Sequence, residues 1–434
     1  MKIIQRCEVS VNVADPGRIG EFQIERMKPG FANEIYGLFL RGKIQANSGR
    51  LLSIRFSCCN LVLDELFFDQ SGKWLFGLFG GGGAGEFELG LNLLGAPPES
   101  RIAMEAVFSS GSPVPLGTIE VSRSRLDSGY VPKYNPIILN SMGRSGTTLL
   151  MRMLSFHPQV YVHHEYPHEL LAAHYWINFL ESLSTPQAGT RLTGKWNMRD
   201  GRNRLVSSSP YYRLGVSAAC ARYLGGAYVP RLARFCQENI DGIYAALINQ
   251  DERVRAGEKS PNITHFAEKS LPLTGLIREL YPQAKEIYLV RDIRDGICSA
   301  LSFNRKRGTQ AFGRESVGSN VQFAARRADE FQGLYTKYEG SAYDKCLVRY
   351  EDLIREPEAE LQRICQYLGL DTTTTDIEDI LRHSSVANSK LSFHRTSASP
   401  LASVGRWERE LPPKLRSVCL ERAGKALAQF GYAP

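Results

Sequence analysis

The spacing of apolar residues changes near residue 130, and that change limits the possible architecture more than any other feature of the chain. Upstream, apolar residues alternate, as in Phe87, Leu89, Leu91 and Leu93, then Ile102, Met104, Ala106 and Phe108. A period of two lines one face of a strand. Gly, Pro, Asn and Ser punctuate these runs, and the pattern predicts a small antiparallel β-sandwich with strands at 7–14, 35–44, 51–57, 61–68, 86–93, 101–108 and 116–122. Downstream, strand-like runs alternate with long helical ones, the order of an α/β fold with a parallel sheet flanked by helices. Residues 126–135 read as a linker. The 434-residue chain therefore divides into a sandwich at 1–125 and an α/β domain at 136–434.

Composition narrows the function classes. Hydrophobic residues at 43% and charged residues at 23% describe a folded globular protein. A net charge of +8 is modest at this length, so it favours small anionic ligands or a local basic cleft over wholesale nucleic-acid wrapping. Nine cysteines without a C-x-x-C pair read as reduced and buried, with neither a disulfide framework nor a zinc knuckle. The N-terminal residues carry Lys2, Arg6, Glu8 and Asp15 without an apolar core, and no uncharged apolar run is long enough to span a bilayer. The expectation is a soluble, cytoplasmic protein.

Two glycine-bearing loops compete as anion sites. The run at 80–85 precedes a period-2 strand and reads as a hairpin loop, because anion cradling needs helix amides pointed at the ligand. The second is different. Residues 136–140 form a short buried-type strand, followed by Ser141-Met142-Gly143-Arg144-Ser145-Gly146-Thr147-Thr148 and the apolar helix at 149–154. Gly143 and Gly146 allow a tight turn, Thr147 and Thr148 supply hydroxyls, Arg144 supplies a forked cation, and the first-turn amides face the anion. A Walker A loop needs Gly at 141 and Lys at 147, where this chain has Ser141 and Thr147, so ATP-magnesium chemistry is disfavoured. The run 286–290 is a second strand, ending at Arg291-Asp292 and leading into a helix with Ser299. Both loops lie at carboxyl ends of strands, where one ligand with phosphates at each end could bridge them.

Here the chain resembles the sulfotransferase family. Its 5′-phosphosulfate loop reads like Arg144-Ser145-Gly146-Thr147-Thr148, and its 3′-phosphate is held by an Arg and, eight residues on, a Ser, like Arg291 and Ser299. The resemblance runs from about residue 135 to the end and includes Val348-Arg349-Tyr350-Glu351-Asp352-Leu353, read as structural, and Val404-Gly405-Arg406-Trp407, similar to a late loop that folds over the donor. It implies 3′-phosphoadenosine 5′-phosphosulfate (PAPS) as donor, held by Arg144, Ser145, Gly146, Thr147, Thr148, Arg291, Ser299 and Arg406, with no metal. The family's late catalytic Ser falls within 389–399, and no single residue there can be matched.

His164-Glu165-Tyr166-Pro167-His168 matches the zinc signature H-E-x-x-H, which works only on a continuous helix; Pro167 forbids one. The resemblance gives Glu165 another part. In the tyrosylprotein branch a Glu follows a His-Pro pair like His157-Pro158 at this spacing from the loop, which makes Glu165 the candidate base, with His163 and His164 in reserve. Lys259, in a segment similar to the family's Lys-x-Pro, is the candidate cation beside Arg144 for charge on the leaving oxygen. The basic run Arg305-Lys306-Arg307 reads as a solvated face or one wall of an acceptor cleft.

Between Arg144 and Lys259 lie Tyr175, Trp176, Trp196, Tyr211 and Tyr212, aromatics that suit sugars and phenols alike. The N-terminal sandwich resembles accessory domains of enzymes that modify surface polysaccharides. The resemblance thus implies PAPS-dependent sulfation of a hydroxyl on a carbohydrate or surface-glycan precursor, with a peptide tyrosine as the alternative acceptor. A non-catalytic nucleotide- or glycan-binding protein and a P-loop kinase are the competing classes.

Overall fold

The computed structural model describes residues 2–433 apart from 29, 60, 69–84, 166–167, 187–217, 258, 270–273, 342 and 386–395. The chain forms two compact units. One comprises Met1–Pro132, Ala173–Ile240 and Leu273–Pro282; the other comprises Lys133–Ala172, Asp241–Pro272 and Gln283–Pro434.

The first unit holds two antiparallel sheets. Strands β1 (Ile4–Val11), β4 (Leu51–Cys58), β5 (Leu61–Phe67), β7 (Glu99–Phe108) and β8 (Val114–Arg123) pair in the order β1-β8-β7-β4-β5. Strands β2 (Ile19–Met27), β3 (Gly37–Ala46) and β6 (Glu86–Asn92) pair in the order β2-β3-β6. The alternating residues do what their period requires: Ile102, Met104, Ala106 and Phe108 of β7 share one core with Phe87, Leu89 and Leu91 of β6. Each of the larger side chains among them stabilises the fold by about 1.5–3 kcal/mol. Strand β2 lies outside the expected set, and its ladder with β3 is irregular between Ile19 and Glu21. That bulge lets Ile19 and Phe22, three residues apart, both reach the core. Buried polar contacts tie the later segments in: Asn92 Nδ2 donates to Ser184 Oγ at 2.9 Å, and Arg123 grips the Glu279 carboxylate with two bonds of 2.9 Å.

The second unit is built on a parallel sheet. Strands β9 (Asn135–Ser141), β10 (Val160–Tyr161), β11 (His265–Lys269), β12 (Lys285–Val290) and β13 (Lys345–Arg349) run in the order β10-β11-β9-β12-β13. Helices cover both faces. Ile287 and Leu289 pack with helices Thr147–Ser155, Pro357–Leu368 and Thr374–Ser385. Val290 packs with Ile293–Arg307, Asn320–Gly340 and Pro413–Gln429. Among the described residues no helix is long and apolar enough to cross a membrane.

This topology decides where chemistry can happen. Strand β9 has β11 on one side and β12 on the other, with Leu289 opposite Ser141 and Lys269 opposite Leu139. Three strands therefore end together, and the loops that follow β9 and β12 leave from carboxyl ends, where open parallel sheets bind ligands.

Candidate functional site

The loop after β9 turns into the helix Thr147–Ser155 through Gly146, which adopts φ 93° as the N-cap. A Cβ there would lie 2.4 Å from the Tyr350 ring, so both the backbone angle and the space exclude a side chain. Arg144 also takes a left-handed φ, 75°, a strained angle for a residue with a Cβ. Its Nε donates to Ser299 Oγ at 3.1 Å, and its guanidinium lies 4.9 Å from the Phe303 ring centroid. Burial, with the neighbouring Arg291 adding repulsion, pushes the Arg144 guanidinium down to about 10. Ser145, in the same loop, is buried.

Arg291 follows β12 and stands over the Tyr350 ring at 4.6 Å. Its Nη1 donates to the Arg144 carbonyl at 3.2 Å and its Nη2 to the Ser403 carbonyl at 2.6 Å. The next residue, Asp292, caps the helix Ile293–Arg307 by accepting from Arg294 N. One helix turn on, Asp295 accepts from Gly405 N at 2.7 Å and Trp407 N at 2.8 Å. Burial raises that carboxyl to about 6, against the pull of Arg291 and the two amides. The late loop is thereby fixed to the helix that carries Ser299. Arg406 is buried, paired with Glu410, and donates to Thr396 Oγ1 at 2.9 Å; Thr396 Oγ1 lies 3.2 Å from Ser299 Oγ.

These residues enclose a cavity of about 820 Å³, inside the usual range for a small-molecule site. Gly143, Arg144, Gly146, Thr147, Thr148, Arg291, Ser299, Tyr350, Thr396 and Ser403 line it. The two arginines expected to hold opposite ends of a ligand face the same space. Among the described residues its charged lining is Arg144, Lys269, Arg291 and Arg382 against Glu169, a surplus of three positive charges that favours an anion. Among the described residues no cluster of His, Cys, Asp or Glu could hold a metal ion.

Other expected residues lie elsewhere. Lys259 is not among the lining residues: its Nζ donates to the carbonyls of Ser155 at 2.7 Å and Val160 at 2.6 Å, and burial with nearby Arg253 pushes it down to about 7. Glu165 is also absent from the lining; its side chain is 74% exposed and lies 3.8 Å from His163 Nε2. His164 is exposed, and neither it nor His168 lies on a helix, so the pair forms no zinc platform. Arg406 meets the site through Thr396. The 80–84 part of the glycine run, Tyr166, Pro167, Trp196, Tyr211, Tyr212 and 389–395 of the late serine window lie outside the described residues.

Lys269 is the cation that sequence reading passed over. It ends β11, donates from Nζ to Glu169 Oε1 at 3.1 Å, and reaches Thr148 Oγ1 at 3.4 Å. Burial lowers its ammonium below the usual lysine value while Glu169 pulls it back. Tyr350, read as part of a structural stretch, forms cavity wall, and its hydroxyl lies 3.0 Å from Ser403 Oγ. The carboxylate beside it is structural: Glu351 accepts from Asp292 N at 3.1 Å and from the Tyr432 hydroxyl at 2.8 Å.

Residues 136–374, more than half of the chain, match the Sulfotransferase family. The chain belongs to the sulfotransferase family. Among curated relatives it is 25% identical over 313 residues to the protein-tyrosine sulfotransferase of Drosophila melanogaster, covering 70% of this chain and 50% of that one. It is 21% identical over 325 residues to protein-tyrosine sulfotransferase A of Caenorhabditis elegans, covering 73% of this chain and 72% of that one. The chain thus spans half the length of the fly relative. Among solved structures it is similar to the sulfotransferase domain of the Synechococcus PCC 7002 olefin synthase, with TM-score 0.36, 20% identity, 72% of this chain and all of that domain. A mouse sulfotransferase complexed with PAP gives TM-score 0.29 and 15% identity over 42% of this chain and 74% of that one.

Proposed function

We propose that this sulfotransferase-family chain moves a sulfuryl group from PAPS to an acceptor hydroxyl. The observation that carries the proposal is the single cavity lined by Arg144 with the Gly146 turn at one strand end and by Arg291 with Ser299 at the next. In this reading the first-turn amides and Thr147 and Thr148 hold the 5′-phosphosulfate, while Arg291 and Ser299 hold the 3′-phosphate. The acceptor oxygen bonds to sulfur as the bond from sulfur to the bridging phosphate oxygen breaks. The electron pair leaves with adenosine 3′,5′-bisphosphate (PAP), and the hydroxyl proton passes to a base. Negative charge grows on the bridging oxygen, and in this reading Lys269 with Arg144, both lining the cavity, meets it. Lys269 thus takes the part expected of Lys259.

A carbohydrate or surface-glycan hydroxyl is the acceptor we favour, on the ground of the all-β region ahead of the family-matched residues. A peptide tyrosine is the second reading, supported by the two curated relatives named for that acceptor. The test is transfer from ³⁵S-labelled PAPS to a panel of oligosaccharides and tyrosine peptides. Label on a glycan is the expected result. Label on peptide alone replaces the first acceptor by the second, and label on neither overturns the proposal.

A further inference from the structure

We propose that the carboxylate which takes the acceptor's proton is Glu169, held at the cavity wall by Lys269, rather than Glu165. The inference rests on the sulfuryl-transfer reading above and names the base for it. A general base must come within hydrogen-bond reach of the hydroxyl it deprotonates, and that hydroxyl must stand beside the sulfuryl group. The sulfuryl group in turn belongs next to the Thr147–Thr148 end of the loop. Glu169 meets this requirement: Oε1 is 3.1 Å from Lys269 Nζ, which is 3.4 Å from Thr148 Oγ1, and all three residues line the cavity.

Glu169 is 49% exposed at its side chain while Lys269 is 8% exposed. The lysine is therefore a fixed post, and the carboxylate pinned to it keeps an open side for an incoming hydroxyl. The two candidate glutamates diverge. His168 adopts φ 65°, with its amide on the Glu165 carbonyl at 2.7 Å and its ring Nδ1 at 2.8 Å from the His163 carbonyl. Glu165 stands beside His163, and Glu169, the residue after His168, stands beside Lys269.

The pairing also couples the two halves of the reaction. While Glu169 is ionised it shares the Lys269 ammonium. As the acceptor oxygen closes on sulfur, its proton moves to Glu169, the carboxyl becomes neutral, and its hold on Lys269 weakens. The fixed ammonium then acts on the bridging oxygen, no longer offset by the carboxylate, as the electron pair arrives there. Atoms and charge balance: the oxygen–sulfur bond forms, the sulfur–phosphate oxygen bond breaks, PAP leaves, and Glu169 later returns its proton to water.

The test compares Glu169→Gln and Glu165→Gln in the full chain, with glycan, tyrosine-peptide and simple phenol acceptors of graded acidity. PAP titration and thermal melting confirm that each variant is folded and holds the nucleotide. Glu169→Gln is expected to lower kcat/KM by about 100-fold on a sugar hydroxyl, and less as the acceptor becomes acidic enough to ionise without help. Glu165→Gln is expected to lose less on every acceptor. A Glu169→Gln enzyme within about threefold of the parent, a larger loss in Glu165→Gln, or a loss independent of acceptor acidity overturns the assignment. The last outcome would mean that Glu169 merely positions Lys269. A parent enzyme that transfers nothing from PAPS overturns the transfer reading and this assignment together, whereas an active parent with an undiminished Glu169→Gln variant overturns only the assignment.

Discussion

Gly146 is the residue on which the loop geometry turns. At φ 93° an alanine is strained, and its Cβ would meet the Tyr350 ring at 2.4 Å, a ring whose hydroxyl is engaged with Ser403. Gly146→Ala should therefore cost about 2–4 kcal/mol, divided between the fold and the site. We expect thermal melting several degrees lower and PAP affinity at least about tenfold weaker; parental values for both would show that the turn tolerates a side chain. Arg144 and Arg291 were legible in the sequence because each follows an apolar strand and opens a helix. Lys269 was not. It stands in Glu268-Lys269-Ser270, and Lys259 stands in Glu258-Lys259-Ser260, so local context gives the two lysines the same appearance. Only the pairing of β11 beside β9, a contact between segments more than a hundred residues apart, brings Lys269 to the loop.

Lys259 does its work between elements. Its ammonium joins the carbonyl of Ser155, the last residue of helix Thr147–Ser155, to that of Val160, the first residue of β10. Its N–H groups satisfy both carbonyls, and removing them strands two buried acceptors. Lys259→Met should destabilise the fold by about 2–4 kcal/mol, measured by denaturant unfolding, while PAP affinity in the folded variant stays near the parental value. The pH dependence has a definite sign. Lys259 titrates near about 7 in the fold and near ~10.4 in the unfolded chain, so between these values the unfolded state binds more protons and stability rises with pH. The parent should gain on Lys259→Met as pH climbs from about 7 toward 10, with no change in the difference below about 7; a gap that moves the other way over that window would contradict the account. Strand patterns were readable for most of the first unit from the period of two. Strand β2 was passed over although Phe22 and Ile24 alternate with polar residues; its bulge displaces only Ile19 from that pattern.

At the scale of the molecule, the division by contacts interleaves along the sequence. Ala173–Ile240 and Leu273–Pro282 cluster with Met1–Pro132, while the family-matched residues 136–374 run through segments of both units. A change in composition marks where one pattern yields to another, but it carries no record of which distant segments pack together. The sheet order is of the same kind: the two anion loops were visible, and their adjacency was only inferred from the habit of parallel sheets. That adjacency is the central claim, and binding tests it most directly. Isothermal titration of the full chain with PAP should give one site per chain, and Arg144→Ala and Arg291→Ala should each weaken it by about 10–100-fold, the worth of a charge-assisted contact to phosphate. Binding that survives both substitutions unchanged, or no binding by the unaltered chain, would contradict it.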